Sequence, residues 1–174
     1  FHELTSLYLR LVDKSLEYYD IDGFCIHDDW GSQMAPFFSE EAARNLILPE
    51  MKRFTDYIHS KGKYVELHSC GHIEDRVKIF VEAGFDMWTP MPMNDTIKLY
   101  EEYGDKIIIG VVYDKPFDPA TATEEEQRAA ARDYVERFTK PGRLCTWPTY
   151  NNPGLMTRAF REELYKASRI SYSK

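Results

Sequence analysis

The residue types best suited to chemistry sit together in Glu66-Leu67-His68-Ser69-Cys70-Gly71-His72. Side chains of an extended segment repeat every two residues, so Glu66, His68 and Cys70 share one face. A histidine and a cysteine on one face chelate a soft divalent ion such as zinc. A catalytic zinc needs three protein ligands and one open position, so this pair requires a third donor. Cys145 can supply it from a later strand; the competing reading of Cys145 is a buried, unreactive cysteine. Cys25 reads as core.

Other strand ends offer further candidates. His27-Asp28-Asp29-Trp30-Gly31-Ser32-Gln33 carries two adjacent carboxylates, which cannot both point the same way from a strand. One of Asp28 and Asp29 is therefore expected to face substrate as a catalytic group beside His68, and the other to cap or pair. Gln33 and Glu66 are candidate substrate contacts. Trp88 and Met91, in Trp88-Thr89-Pro90-Met91-Pro92-Met93, offer aromatic and thioether surface for an apolar pocket wall, although ordinary packing accounts for them as well. Tyr113 and Asp114 follow another strand, and Trp147-Pro148-Thr149-Tyr150-Asn151-Asn152 the last.

Helices alternate with the strands that carry these residues. The spacing predicts a helix over 5–19 and a strand over 23–26. Ser39 caps a helix that runs to Lys61 and that Pro49 must kink or split. Gly62 stops it. A strand over 64–68, a helix over 73–83 ended by Gly84, and a strand over 86–89 follow. A helix over 94–103, a strand over 106–112, a capping box at Thr123-Glu124-Glu125-Glu126 opening a helix to Phe138, a strand over 143–147 and a helix over 155–170 complete the pattern.

Five short apolar strands alternating with helices predict parallel α/β architecture. No glycine-rich phosphate loop follows any strand, which favours a (βα)8 TIM-type barrel over a dinucleotide-binding sheet. A closed barrel takes about 250 residues, so the barrel is expected to be incomplete here, with about five βα units preceded by a helix. Five strands alone leave open edges and an uncovered inner face. The expectation is therefore a C-terminal portion with a missing N-terminal half, or a chain completed by another copy in a homo-oligomer. The start at Phe1 rather than Met fits the first.

With 174 residues and 43% apolar content, one domain over 1–174 is expected. A net charge of −7 argues against sequence-independent nucleic-acid binding. The longest apolar runs are too short for a membrane span. Three widely spaced cysteines argue against a disulfide framework and for a reducing, cytoplasmic setting, while the acidic charge fits a small-molecule substrate or a protein partner better than nucleic acid.

Three segments carry a family resemblance: Asp28-Asp29-Trp30-Gly31-Ser32-Gln33, residues 49–62 leading into Leu67-His68-Ser69-Cys70-Gly71, and Gly84-Phe85-Asp86 followed by the Pro90 region. In order and spacing these are similar to the uroporphyrinogen decarboxylase superfamily, and they resemble its cobamide-dependent methyltransferase branch. The resemblance implies a full (βα)8 barrel of which this chain matches the C-terminal part. It also implies zinc held by His68, Cys70 and a later cysteine that Cys145 matches in separation, though Arg143-Leu144-Cys145 lacks the glycine that commonly precedes that cysteine. In that branch zinc binds a thiol as thiolate, which attacks a methyl group on a corrinoid; a corrinoid protein is thereby an expected partner and the corrinoid a co-substrate. The alternatives are metal-free decarboxylation of a tetrapyrrole, as in the uroporphyrinogen decarboxylases, and a non-catalytic fragment or partner subunit.

Overall fold

The computed structural model describes residues 1–143, 145–146 and 157–172, with the side chains of 145, 146 and 172 excepted. The chain groups into two compact units, Phe1–Asp95 and Thr96–Lys174.

The first unit runs α1 (His2–Tyr18), β1 (Gly23–His27), α2 (Glu40–Ala42), a π-helical turn (Ala43–Ile47), α3 (Leu48–Ser60), β2 (Tyr64–His68), a 3-10 turn (Glu74–Arg76), α4 (Val77–Ala83) and β3 (Met87–Thr89). β2 pairs in parallel with β1 and with β3. Parallel neighbours need crossover connections, and here helices supply them. The Ser39 side chain accepts the Ala42 N–H and opens α2. Pro49 falls in the first turn of α3, where a missing N–H leaves no gap in the ladder. The expected break thus takes the form of the π-helical turn just before it. Gly84, at φ 86°, ends α4 and turns the chain into β3.

Register fixes the faces of this sheet. Cys25 aligns with Glu66 and Glu66 with Met87; His27 aligns with His68 and His68 with Thr89. These residues form a polar face. The intervening Val65, Leu67 and Trp88 are buried on the other face, in the same core as Ile58, Phe80 and Trp30. Cys25 was expected to be core but is exposed, because its position in β1 belongs to the polar face. Alongside, Thr5 and Val12 are the buried residues of α1, while Leu4, Leu7, Tyr8 and Leu11 remain exposed. Tyr57 of α3 holds α1 by donating to Asp13.

The second unit contains α5 (Thr96–Tyr103), β4 (Ile108–Gly110), α6 (Glu124–Phe138), β5 (Cys145–Thr146) and α7 (Arg158–Tyr172), with β4 and β5 parallel. The capping box is complete: the Thr123 side chain accepts the Glu126 N–H, and the Glu126 carboxylate accepts the Thr123 N–H at 2.7 Å. Tyr100, Tyr113, Tyr134, Phe138, Phe160 and Leu164 form its core. The candidates Trp147 to Asn152 lie outside the described residues. Among the described residues no helix is long and apolar enough to cross a membrane. The architecture is α/β with parallel strands and fits part of a (βα) barrel.

Candidate functional site

At the C-terminal end of β2 the chain places His68 with only 7% of its surface exposed, followed by fully buried Ser69 and half-buried Cys70. The His68 Nδ1 lies 2.9 Å from the Thr89 carbonyl oxygen. A carbonyl only accepts, so Nδ1 carries the proton and Nε2 is left as the nitrogen with a lone pair. That Nε2 lies 3.5 Å from the Cys70 sulfur.

Asp29 joins the pair from the loop after β1. Its Oδ1 accepts the Cys70 backbone N–H at 2.9 Å. This hydrogen bond, with a second from the Cys70 side chain, holds the Asp29 carboxyl below the usual aspartate range. The Cys70 thiol is pushed up, first by burial and then by Asp29. Ligand atoms of Asp29, His68 and Cys70 all lie within 4.8 Å of one another.

The His68–Cys70 pair is spaced as two ligands of one zinc ion would be. With bond lengths of about 2.0 Å to nitrogen and about 2.3 Å to sulfur, two ligands of one tetrahedral ion stand about 3.5 Å apart. The His68–Cys70 separation has that value. A protonated Nδ1 fixed by a backbone carbonyl is the usual outer support of a metal-ligating histidine. A divalent ion would also reverse the balance at Cys70, favouring the thiolate that burial and Asp29 disfavour.

Three loops are clamped to hold this geometry. The Trp30 N–H donates to the Ser69 hydroxyl at 3.0 Å and the His72 N–H to the Ser32 carbonyl at 2.7 Å, which binds the β1 loop to the β2 loop. Gly71, at φ 107°, packs directly on the backbone of Gly31, leaving no room for a side chain. The third loop is tied by Asn94, only 4% exposed. Its Nδ2 donates to the carbonyls of Gly71 and Met91, both at 2.9 Å, and its Oδ1 accepts the Ile73 N–H at 2.9 Å. Sequence reasoning missed Ser69, Thr89 and Asn94 as parts of the site. Asn94 was expected to open a helix; α5 instead begins at Thr96.

The two carboxylates after β1 have separate tasks. Asp28 accepts the Trp30 indole N–H at 3.0 Å, and Asp29 faces Cys70. Glu66 stands on the polar face below His68 and accepts a hydrogen bond from Thr89 Oγ1. The His27 ring, which the sequence did not single out, lies 4.9 Å from the His68 ring between centroids. Gln33 is exposed in the turn held by Ser32 and Ala35, and Met91 is half-buried in the loop after β3.

Other expected contacts are engaged elsewhere. Trp88 is completely buried beside Phe80, on the face opposite His68, so it is core and not a pocket wall. Strand parity is the reason, since Trp88 registers with Leu67. Tyr113 is buried within the second unit and donates to Asp133 at 3.0 Å. Asp114 pairs twice with Arg137, at 2.7 and 2.9 Å. Cys145 begins β5, and its side chain lies outside the described residues. A cavity of about 580 Å³ opens beside β1, lined by Tyr8, Phe24, Trp30 and Phe54 and reached by His27 and Asp28. Neither His68 nor Cys70 lines it.

No protein-family model matches the chain, and no curated protein matches it. Among solved structures it is similar to a methyltransferase from Methanosarcina mazei, with a TM-score of 0.59 and 17% sequence identity. The match covers 99% of this chain and 47% of that one, so this chain spans about half the length of its structural relative. At that identity the likeness is one of fold.

Proposed function

We propose that this chain carries the acceptor-binding part of a zinc-assisted methyltransferase, in which a small thiol receives a methyl group from a corrinoid held by a partner protein. The observation that supports this most is the convergence of Asp29, His68 and Cys70 at the end of β2, with the His68 tautomer fixed by Thr89. His68, Cys70 and Asp29 are the residues that would hold zinc, with Cys145 as a further candidate donor. Zinc bound there would lower the pKa of an incoming thiol and keep it as the nucleophilic thiolate. The protein's own contribution is to orient the donors. Thr89 aims the His68 ring, Asn94 and Ser69 fix the loops, and the backbone of Cys70 positions Asp29. The fold likeness to a methyltransferase, and the resemblance of Leu67-His68-Ser69-Cys70-Gly71 to the cobamide-dependent branch, agree with this reading.

Zinc analysis of the purified full chain tests it, together with Cys70→Ser, His68→Ala, Asp29→Ala and Cys145→Ser. Stoichiometric zinc that is lost on substitution of Cys70 or His68 is the expected result. A chain that acquires no zinc, or whose zinc survives both substitutions, overturns the reading. The Asp29 and Cys145 variants identify the third ligand. Methyl transfer that persists after removal of metal by a chelator also rejects it.

A further inference from the structure

α1 carries two lines of residues with different fates. Thr5 and Val12 are buried. Leu4, Leu7, Tyr8 and Leu11, at the i, i+3, i+4, i+7 spacing of a second stripe, stay 44–52% exposed. Three polar contacts on the reverse side of the helix keep it from rolling this stripe inward. His2 Nδ1 lies 3.0 Å from Glu50, and Ser6 and Asp13 accept hydrogen bonds at 2.8 Å from Arg53 and Tyr57. The stripe is continuous with the wall of the cavity beside β1, to which Leu4, Tyr8 and Leu11 belong together with Phe24 and Met51. A contiguous apolar surface on a helix fixed in this way marks contact with another macromolecule.

The charges bordering the stripe indicate which. Its exposed border carries Glu3 and Arg10, two turns apart, and among the described residues neither takes part in an ion pair. We propose that α1 is a self-association surface, which pairs antiparallel with α1 of a second copy across the stripe from Leu4 to Leu11. With the two-fold axis near Leu7, each Glu3 stands opposite Arg10 of the second copy, twice per dimer, and the leucines of the two copies alternate along the seam. A parallel pairing would set Glu3 near Tyr8 and Arg10 near Ser15, with no charge match. A membrane surface fits less well: the exposed charges of α1 are Glu3, Arg10, Lys14 and Glu17, which balance, whereas a helix lying on a membrane carries an excess of lysine and arginine. The proposal does not depend on metal binding at His68 and Cys70.

Sedimentation velocity of the full chain over about 1–100 μM tests this. A species of twice the 20.5 kDa chain mass that grows with concentration is expected. Leu7→Glu, which brings a carboxylate from each copy to the two-fold axis, should leave a monomer whose circular dichroism is unchanged. Glu3→Arg and Arg10→Glu should each weaken the dimer about ten-fold, because each sets like charges opposite one another. An equal mixture of these two variants should recover wild-type affinity, since every arginine then meets a glutamate in the mixed dimer. If Leu7→Glu does not fold, the mixing experiment decides alone. A chain that stays monomeric throughout overturns the proposal and leaves the stripe to a different partner. A dimer that a folded Leu7→Glu leaves intact places the interface elsewhere and overturns it as well. The antiparallel pairing is rejected if the single charge variants leave the affinity unchanged, or weaken it without recovery on mixing.

Discussion

His68 and Thr89 are joined across adjacent strands by a hydrogen bond from an imidazole N–H to a main-chain carbonyl, at 2.9 Å. Because β2 and β3 align these two residues in register, the orientation of the ring is a property of the sheet itself. A main-chain acceptor cannot be removed by a side-chain change, so the tautomer should be robust to substitution at Thr89. Long-range proton–nitrogen NMR spectra of the metal-free protein at pH above 7 are expected to show His68 protonated at Nδ1, in wild type and in Thr89→Val alike. An Nε2-protonated ring would contradict the assignment.

Asn94 holds Gly71, Ile73 and Met91 with one buried amide. Asn94→Ala leaves backbone groups around Cys70 unsatisfied, at about 1–3 kcal/mol. For a chain of this size that lowers the melting temperature by about 2–4 °C per kcal/mol. Zinc affinity, measured by competition with a chromophoric chelator, should fall about 10- to 100-fold because the Cys70 loop loosens. An unchanged affinity at a lowered melting temperature would confine Asn94 to a purely structural part.

Asp29 raises the Cys70 thiol in the metal-free protein, as a secondary cause behind burial. Asp29→Asn removes the charge and brings the thiol down, so more thiolate is present at a given pH. Alkylation of Cys70 by iodoacetamide near pH 8 should be faster in Asp29→Asn than in wild type. A slower reaction would show that the carboxylate acts on the thiol in the opposite sense.

In the second unit, the Arg137 guanidinium beside Asp114 holds that carboxyl below its ordinary value. A carboxyl depressed in the folded state contributes stability above the unfolded pKa of about 3.9, and that contribution is lost as pH falls through the folded value. Arg137→Leu should therefore lower the urea midpoint at pH 7, and the difference from wild type should shrink on approaching pH 2. The pair is partly exposed, so the effect is modest and salt-sensitive. A pH-independent difference would rule out the ion pair as its source.

Trp88 lies on the opposite face of the sheet from His68, and its indole nitrogen has no hydrogen-bond partner among the described residues. Trp88→Phe then loses packing but no hydrogen bond, costing about 1 kcal/mol. Zinc content and affinity should stay as in wild type. A loss of zinc would mean that the face carrying Trp88 is coupled to the site after all.

The elements of this fold were readable because they are local. Gly84 stops α4, the Thr123–Glu126 box opens α6, and short apolar stretches after each helix become strands. The shared face of His68 and Glu66 was readable too, since strand parity is a property of consecutive residues. What could not be read depends on register between strands. Only the alignment of Trp88 with Leu67 sends the indole to the core, and only that of Cys25 with Glu66 exposes the thiol. Asn94 shows the same limit, since its partners Gly71 and Ile73 are more than twenty positions away in sequence. Asp29 was marked as catalytic, but its place beside Cys70 follows from the approach of two loops that no sequence spacing records.

That approach has a further consequence for anyone reshaping this protein. Gly71 stacks on the backbone of Gly31, and an added side chain at Gly31 would meet Ile73 at 2.6 Å. The loops after β1 and β2 are thus one inseparable part. Grafting either loop alone onto another scaffold would bring half of an interlocked pair, and variation at Gly31 or Gly71 has to be sampled jointly for the candidate site to survive it.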